Sequence, residues 1–570
     1  MHIINKLFFV TKTSNKNLFF IIIAIILTSL SDILSIGLIL PYTKVILNDY
    51  SIFQDYKIIN DFLLNKNNDE IFYFLSFALL ISFTLKFIIT ILLRYILIRY
   101  THGKLPSLQL SLAKKYQTLS LSEKNLKKDS DVIRNLKVLS ESTISCLENV
   151  LRLIAETMIL ITISIYLLII NFKIFLIVSS IILIFGFFFN KILRPIVYQA
   201  GQKRIESDSK IILLIQDLLS SFKEIRVLGK ENFFVPGLQK SANTIYKSVL
   251  INNITTIIPR YAIELIIILF FVTYILINFD NKMFLNDFLP NIAVFGFASL
   301  RIIPLSSSII RAWVNLKYNL PVINTVYSDF KFNDKKDKTE IKKIEFKNLE
   351  LKDISFEYVK SKRKVLNQIN FKIEKKQTVG ILGESGSGKT TFVNLLIGLL
   401  DLKKGNIFLN GNILNERLYN KIKVSYIAQD NLVIKDTIKK NISLENKEEL
   451  IDEIKLQNSI KFSNLSKVIQ KNDLYLDSVI GEDGLSLSGG ESKRLSIARA
   501  LYHDCDLLIL DEATNSLDES NKIEIREHLK LLKSKIAMII ISHNQEDLNN
   551  CDMIYRIENG NINLIKRNEK

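Results

Sequence analysis

A glycine-rich stretch from Ile381 to Thr391 carries residue types that bind nucleotide phosphates. It fits the pattern G-x-x-x-x-G-K-[ST], with an apolar run before it and a helix-forming run after it. In such a loop, backbone N–H groups and the N-terminus of the following helix surround the phosphates. We therefore expect a nucleotide site built by the loop residues Gly383, Glu384, Ser385, Gly386, Ser387, Gly388, Lys389, Thr390 and Thr391.

A second pattern supplies what hydrolysis of the nucleotide needs. An apolar run ends in Asp511 and Glu512, as a buried strand does when it delivers carboxylates to a site. Lys389 is predicted to reach the β- and γ-phosphates, while Thr390 and Asp511 hold Mg²⁺. Glu512 is predicted to polarise the attacking water. The carboxylate pair alone is a weak signal, but the phosphate loop upstream makes ATP and Mg²⁺ the expected ligands.

The composition indicates a membrane protein rather than a nucleic-acid-binding one. Hydrophobic residues make up 48% of the 570 residues, and the excess lies before residue 310. The formal charge of +18 is compatible with nucleic acid, but the lysines and arginines sit mainly in loops that flank apolar segments. Cys146, Cys505 and Cys551 are scattered, so neither a disulfide framework nor a zinc site is indicated. We expect a membrane, and no nucleic acid, among the partners.

Six segments are long enough to cross a bilayer, which takes roughly 20 apolar residues each. The long loops 98–148 and 191–255 are rich in lysine and arginine, which favours the cytoplasm for both loops, both termini and the ATPase domain. Residues 52–63 have helical apolar spacing, typical of an amphipathic helix on the outer surface or of an ordinary loop helix. The predicted spans are residues 18–40, 71–93, 151–170, 174–189, 261–278 and 284–304.

The second half of the chain has the pattern of a soluble domain. A polar run from Lys331 to Lys343 marks a linker, and the following residues alternate like strands. We therefore predict an all-α six-helix transmembrane domain over residues 1–325, a linker over 326–343, and an α/β P-loop ATPase domain over 344–570.

The order of motifs in this second half resembles that of ATP-binding-cassette (ABC) proteins. Leu487-Ser488-Gly489-Gly490-Glu491 is similar to their signature, with Glu491 where glutamine is commoner. Tyr358 matches the aromatic residue that stacks on adenine, and Gln429 matches the loop glutamine near Mg²⁺ and water. His543, which follows another apolar run, matches the switch histidine at the γ-phosphate.

Two shorter stretches extend this resemblance. Ser516-Leu517-Asp518 is similar to the D-loop, and Gly481-Glu482-Asp483-Gly484 is similar to the loop that exporters place before the signature. In the family, a nucleotide is closed between the phosphate loop of one cassette and the signature of another. The resemblance therefore implies that Ser488, Gly489, Gly490, Glu491 and Asp518 contact a nucleotide held by a second copy. It also implies a homodimer with two shared ATP sites, in which the cytoplasmic loops, especially near residues 224–234, transmit motion to the spans.

Across nearly its full length the chain resembles half-size flippases of polyprenyl-pyrophosphate-linked oligosaccharides. The similarity includes Lys6–Phe9, Ile258–Tyr261 and Leu300–Pro304. It implies a protein of the bacterial inner membrane that moves a lipid-linked oligosaccharide or a similar glycolipid. Exporters of lipid A, phospholipid, drugs or peptides share the same machinery and remain the alternative. A membrane-anchored ATPase without transport is the remote alternative.

Cations in or near the spans are the candidate ligands of the cargo head group. Ionisable groups in apolar spans are costly and tend to face a cavity, and cations there would suit a pyrophosphate. The alternative for each is that its side chain reaches out to lipid phosphates. Asp32 in the first span is a candidate partner for one of them, Lys86, and a structural and a functional role are both open for it. The candidates are Lys86, Arg260, Arg301 and Arg311, although the family's second cation on the last helix falls where this chain has Ser308.

Overall fold

The chain separates into two compact units, and each unit consists of two segments of the sequence. The first consists of Met1–Leu119 and Leu126–Asp334, and the second of Ser120–Asn125 and Lys335–Lys570. The predictions for residues 52–63, 482–484 and 516–518 lie outside the described residues. The computed structural model describes residues 2–12, 15–46, 68–278, 282–331, 343–358, 364–415, 417–472, 474–481, 487–512 and 519–567.

The described part of the first unit is helical, and a single turn of π-helix over Asn135–Leu139 interrupts one of its long helices. The short helix α6 (Leu121–Lys124) lies in the same stretch of sequence but belongs to the second unit. The helices of the first unit are α1 (His2–Thr11), α2 (Asn15–Gly37), α3 (Ile39–Ile46), α4 (Asn68–His102), α5 (Leu105–Gln117), α7 (Asp129–Arg134), α8 (Ser140–Ile170), α9 (Phe172–Ser220), α10 (Phe222–Val227), α11 (Val235–Asn278), α12 (Lys282–Tyr318) and α13 (Leu320–Lys331).

Among the residues that the structure describes, six helical segments are long and apolar enough to cross a membrane. Several continue far beyond the predicted spans: the fourth span, residues 174–189, lies inside the 49 residues of α9. On α4 the apolar side chains of Phe77 and Phe87 are each 65% exposed, as suits contact with lipid. The six segments are Leu18–Ile46, Asp69–Gln117, Asp129–Ile170, Phe172–Ser220, Glu231–Ile277 and Val294–Tyr318.

The second unit is built around two larger sheets. An antiparallel sheet has the order β2-β1-β4-β5, and a six-stranded sheet has the order β12-β11-β3-β10-β9-β6. Two further short strands, β7 and β8, pair with each other. The strands are β1 (Asn348–Glu357), β2 (Lys364–Glu374), β3 (Thr378–Leu382), β4 (Lys404–Leu409), β5 (Asn412–Ile413), β6 (Val424–Ile427), β7 (Asp436–Thr437), β8 (Val479–Ile480), β9 (Leu507–Asp511), β10 (Ala537–Ser542), β11 (Met553–Glu558) and β12 (Asn561–Arg567).

Helices complete the second unit, and its six-stranded sheet sets the position of the site. Strands β11, β3, β10, β9 and β6 run parallel, and every residue of β3 and β9 is buried, which explains their continuous apolar runs. Because parallel strands end at one edge, the residues that follow them meet there. The remaining helices are α14 (Lys389–Ile397), α15 (Leu418–Lys421), α16 (Ile438–Ser443), α17 (Glu453–Phe462), α18 (Leu465–Lys471), α19 (Gly489–Tyr502) and α20 (Glu519–Lys533).

Candidate active site

The carboxyl ends of neighbouring strands bring the predicted nucleotide residues together. Leu382 at the end of β3 pairs with Ser542 at the end of β10, so the phosphate loop and His543 begin at the same level. Asp511, at the end of β9, pairs with Ile541 one residue earlier on β10. Segments far apart in the sequence therefore open onto one edge of the sheet.

The phosphate loop has the backbone that its glycines permit. Gly386 has φ +79° and Gly388 has φ +109°, a region that residues with a Cβ rarely adopt. A Cβ on Gly388 would also lie only 3.1 Å from Cδ2 of Leu366. Helix α14 begins directly after Gly388, so the positive end of its dipole lies at the loop.

Lys389 and Thr391 tie the loop to its surroundings. The buried Lys389 Nζ donates hydrogen bonds to the carbonyl oxygens of Gly383 at 2.7 Å and Glu384 at 2.9 Å. The hydroxyls of Thr391 and Tyr358 are 3.0 Å apart, which fixes the half-buried Tyr358 at the wall of the same site. The cation and the aromatic ring are thus both held at the loop before any ligand arrives.

Asp511 is a buried carboxylate at the end of its strand. Its Oδ2 accepts a hydrogen bond of 3.0 Å from the Tyr426 hydroxyl, and the residue is only 4% exposed. Burial raises the pKa of Asp511, and the charge of neighbouring Glu512 raises it further. Burial, with the Asp511 charge, also raises the pKa of Tyr426, which keeps the phenol a donor. A bound cation would relieve the cost of this buried negative charge.

Glu512 has an unusual backbone conformation. Its φ of +48° is left-handed, which costs a residue with a Cβ about 1–2 kcal/mol. Such strain persists only where the surrounding structure determines the backbone, and the Glu512 N–H donates to the Ile541 carbonyl oxygen at 3.1 Å. Glu512 Oε1 lies 3.6 Å from Nδ1 of the exposed His543. The two predicted catalytic groups are therefore neighbours.

Gln429, two residues after β6, is positioned through a lysine that sequence analysis missed. Lys493 is 1% exposed, and its Nζ donates a 2.7 Å hydrogen bond to the carbonyl oxygen of Ala428. It lies on α19, the helix that begins at the signature. A buried lysine in a helix with other basic residues gives no pattern that would single it out in the sequence.

A cavity of about 1040 Å³ collects the predicted residues. Among its lining residues, sequence analysis did not identify Val365, Gln545, Arg556 and Glu558, which belong to no recognised motif. The predicted residues that line the cavity are Tyr358, Gly383, Glu384, Ser385, Gly386, Gly388, Lys389, Thr390, Thr391, Gln429, Asp511, Glu512 and His543.

These residues fit ATP and Mg²⁺. A Cβ on Gly386 would meet no atom within 4 Å, so the loop backbone faces open space. Beside it, the buried Ser387 hydroxyl has no hydrogen-bond partner among the described residues. The Thr390 hydroxyl, the Gln429 amide oxygen and the Asp511 carboxylate are oxygen ligands of the kind that Mg²⁺ prefers.

The signature residues form the start of helix α19. The Ser488 hydroxyl accepts a hydrogen bond of 3.3 Å from the Glu491 N–H, and Glu491 Oε2 accepts one of 2.8 Å from the Ser488 N–H. Glutamine would make the same capping box, so Glu491 is a conservative departure from the signature. In the part of the chain that the structure describes, Ser488, Gly489, Gly490 and Glu491 do not line the cavity.

In the first unit, Asp32 brings two of the predicted substrate cations together. Its carboxylate is fully buried and lies 2.8 Å from Lys86 Nζ and 2.8 Å from an Arg301 guanidinium nitrogen. Arg260 is exposed and its guanidinium lies 5.9 Å from the Tyr261 ring centroid. No ion pair joins Arg260 or Arg311 to Asp32 in the described ranges.

Sequence comparisons find a similarity between part of the second unit and ABC transporters. Residues 366–515 match the family described as ABC transporter. The ATP-dependent lipid A-core flippase of Idiomarina loihiensis is 35% identical over 215 residues, 37% of this chain and 36% of that protein. The putative multidrug export ATP-binding/permease protein of Staphylococcus aureus (strain NCTC 8325 / PS 47) has the same identity and coverage. The lipid A-core flippase of Wigglesworthia glossinidia brevipalpis is 28% identical over 384 residues, 66% of this chain and 63% of that protein.

This chain thus aligns with about a third of the first two relatives, 36% of each, and with under two thirds of the third. A comparison with solved structures covers more of the chain. A bacterial Atm1-family ABC exporter with ATP bound matches with a TM-score of 0.79 and 17% identity, over 96% of this chain and 95% of that chain. The chain has the fold of an ABC exporter, and its second unit carries an ABC transporter ATPase domain.

Proposed function

We propose that the chain is an ATP-driven exporter or flippase that works as a homodimer in the bacterial inner membrane. The observation that carries this proposal is the cavity in which the phosphate loop, Asp511, Glu512 and His543 meet. The six apolar helical segments provide the membrane part. The exporter fold, and relatives named as a lipid A-core flippase and a multidrug exporter, support transport as the work that hydrolysis drives.

Glu512 is the proposed general base. Its carboxylate accepts a proton from water as the water oxygen bonds to the γ-phosphorus of ATP. The bond from that phosphorus to the bridging oxygen breaks, so ADP leaves with the electron pair and inorganic phosphate forms. Neighbouring His543 donates a hydrogen bond to the transferred phosphoryl oxygens. Lys389 exchanges its two loop carbonyls for phosphate oxygens. Thr390, Asp511 and Gln429 would hold Mg²⁺, which would supply positive charge to offset that of the phosphates.

A second copy of the chain is proposed to complete each ATP site. The signature at Ser488–Glu491 lies outside the cavity lined by the phosphate loop of the same chain. Two copies facing each other would supply two phosphate loops and two signatures, as a closed symmetric dimer requires. Binding of ATP then stabilises the closed state through contacts that only this state makes.

Helix α6 is the proposed link from the ATPase domain to the membrane part. It comes from the chain between α5 and α7, yet the Leu121 N–H donates a 3.0 Å hydrogen bond to the Leu399 carbonyl oxygen. A capping box between Ser120 and Glu123 fixes its start. We expect this helix, which lies in the first of the two predicted cytoplasmic loops, to carry motion together with residues 224–234 of the second.

The proposed cargo is a polyprenyl-pyrophosphate-linked oligosaccharide or a similar glycolipid. Two cations that converge on one buried carboxylate, Lys86 and Arg301 on Asp32, form a site that a pyrophosphate could enter by displacing that carboxylate. Lipid A is the second candidate, because its phosphates suit the same cations and relatives are named as lipid A-core flippases.

Measuring how added lipids stimulate ATPase activity in proteoliposomes tests which cargo the protein moves. We expect stimulation by a polyprenyl-pyrophosphate oligosaccharide and none by phospholipid or a hydrophobic drug. Stimulation by lipid A alone would favour the second candidate, and stimulation by the drug alone would discard both lipids.

A charge-balanced variant tests the proposed head-group site. Lys86→Gln, Arg301→Gln and Asp32→Asn together leave no buried charge unpaired. This variant should lose the stimulation and keep basal ATPase activity. The matched control is Arg99→Gln, which removes an exposed cation from the same helix as Lys86 but outside the cluster, and it should respond like the wild type. Unchanged stimulation in the triple variant would exclude the cluster as the cargo site.

A further inference from the structure

A groove of about 250 Å³ between α9 and α12 has no role in the proposed cycle. Most of its wall is apolar, and its polar residues are Asn190 and Arg194 on α9 and Trp313 and Lys317 on α12. These residues lie in the first unit, apart from the cluster around Asp32. The groove therefore combines an apolar wall with a small polar end.

The polar end is an ordered arrangement. The Trp313 Nε1–H donates a 3.0 Å hydrogen bond to Oδ1 of Asn190 on the other helix. Lys317 is only 8% exposed, and its Nζ lies 4.5 Å from the centroid of the Trp313 ring. The indole is thus held at its edge by an amide and covered on its face by a cation, a favourable cation–π contact.

The charge of this end is uncompensated in the described part of the chain. Arg194 lies on the same groove as Lys317, and neither residue forms an ion pair with a described carboxylate. The sequence contains no Asp or Glu between Glu156 and Glu206, and none between Asp287 and Asp329. Two neighbouring cations without a carboxylate form a site that an anion would stabilise.

We propose that this groove binds an anionic phospholipid, with its phosphate between Arg194 and Lys317 and an acyl chain along the apolar wall. Charge complementarity selects the phosphate, and the apolar wall selects a lipid over a soluble anion. Asn190 directly follows the apolar segment 174–189, and tryptophan with lysine or arginine is typical of the head-group level. The site lies at that level on the proposed cytoplasmic side, and it uses no residue of the ATP or cargo sites.

Trp313 is the only tryptophan of the chain, so its fluorescence reports on this groove without further mutation. The full-length protein is placed in nanodiscs of phosphatidylcholine that contain a minor fraction of brominated lipid. Brominated phosphatidylglycerol should quench Trp313 more strongly than brominated phosphatidylcholine at the same fraction. Each cation at an anionic lipid surface changes relative affinity about fivefold, so Arg194→Gln should lower the preference for phosphatidylglycerol by about that factor.

Lys191→Gln is the matched control, because it removes the same charge from an exposed position on α9 outside the groove. It should keep the preference. Arg194 is itself exposed, so Arg194→Gln tests the site even if Lys317→Gln fails to fold. Equal quenching by the two brominated lipids, or an equal loss in Lys191→Gln, would overturn the proposal. Removal of the preference by soluble glycerol phosphate would reassign the groove to a free phosphate and overturn the lipid.

Discussion

Among single residues, Glu512 is the one whose substitution should affect ATP hydrolysis most directly. It follows a fully buried strand, at a φ of +48°, and its carboxylate lies beside His543. Glu512→Gln keeps the size of the side chain and removes the base. ATP hydrolysis should fall by about 10²–10⁴-fold, because a neutral amide cannot accept the proton of the attacking water. ATP affinity should stay near that of the wild type, and ATP should trap a closed dimer.

The matched control for this substitution is Glu491→Gln in the same domain. A glutamine at this position preserves the capping box with Ser488, so ATPase activity should change little. The measurements are steady-state phosphate release and equilibrium nucleotide binding for both variants. Normal turnover by the Glu512 variant would remove this residue from its proposed role.

The residues that sequence analysis identified share a local signal. Lys389, Asp511, Glu512 and His543 each sit in a motif or at the end of an apolar run, and the sheet then brings those ends together. Lys493 has no such signal, because its contact with Ala428 joins residues 65 positions apart. Contacts of this kind depend on how the helix after the signature packs, which no local pattern records.

At the scale of elements, the approach of α9 and α12 depends on one glycine. A Cβ on Gly201 would lie 1.9 Å from the carbonyl oxygen of Tyr318, a backbone atom that cannot rotate away. Gly201→Ala should therefore force the helices apart and destabilise the first unit by about 1–3 kcal/mol or more. The thermal unfolding midpoint of the purified protein measures this loss.

Gly186→Ala on the same helix is the control for this prediction. A Cβ there would meet no atom within 4 Å, and alanine favours a helix over glycine by about 1 kcal/mol. The unfolding midpoint should stay the same or rise slightly. If both variants behave alike, close packing at Gly201 does not hold these helices together.

A hydropathy pattern indicates the apolar part of a helix and not the full extent of that helix. Hydropathy marks only the residues suited to lipid, so the predicted span 174–189 covers a small part of α9. The polar cluster around Asp329 was also missed. Its carboxylate contacts Tyr116, Lys127 and Asn135, which belong to separate segments of the chain. The polar groups of such a cluster meet only after the helices have packed.

At the scale of the whole molecule, the phosphate loop and the signature of one chain lie apart. This separation allows a test of whether two chains share each ATP site. One variant chain carries Lys389→Ala, which removes the phosphate-binding cation, and another carries Ser488→Arg, which blocks the signature. If sites are shared, each homodimer is inactive. A heterodimer of the two variant chains regains one intact site out of two, so its ATPase activity should reach up to about half that of the wild type.

The control heterodimer joins a wild-type chain to a chain that carries both substitutions, so the same two changes lie in one subunit. Shared sites then predict no activity, because the intact phosphate loop faces the blocked signature and the intact signature faces the altered loop. A site complete within one chain predicts the reverse: an active control and an inactive heterodimer of the two single variants. Isolating each heterodimer through two different affinity tags and measuring phosphate release decides between these arrangements. The homodimer proposal requires activity only when the substitutions lie in different chains.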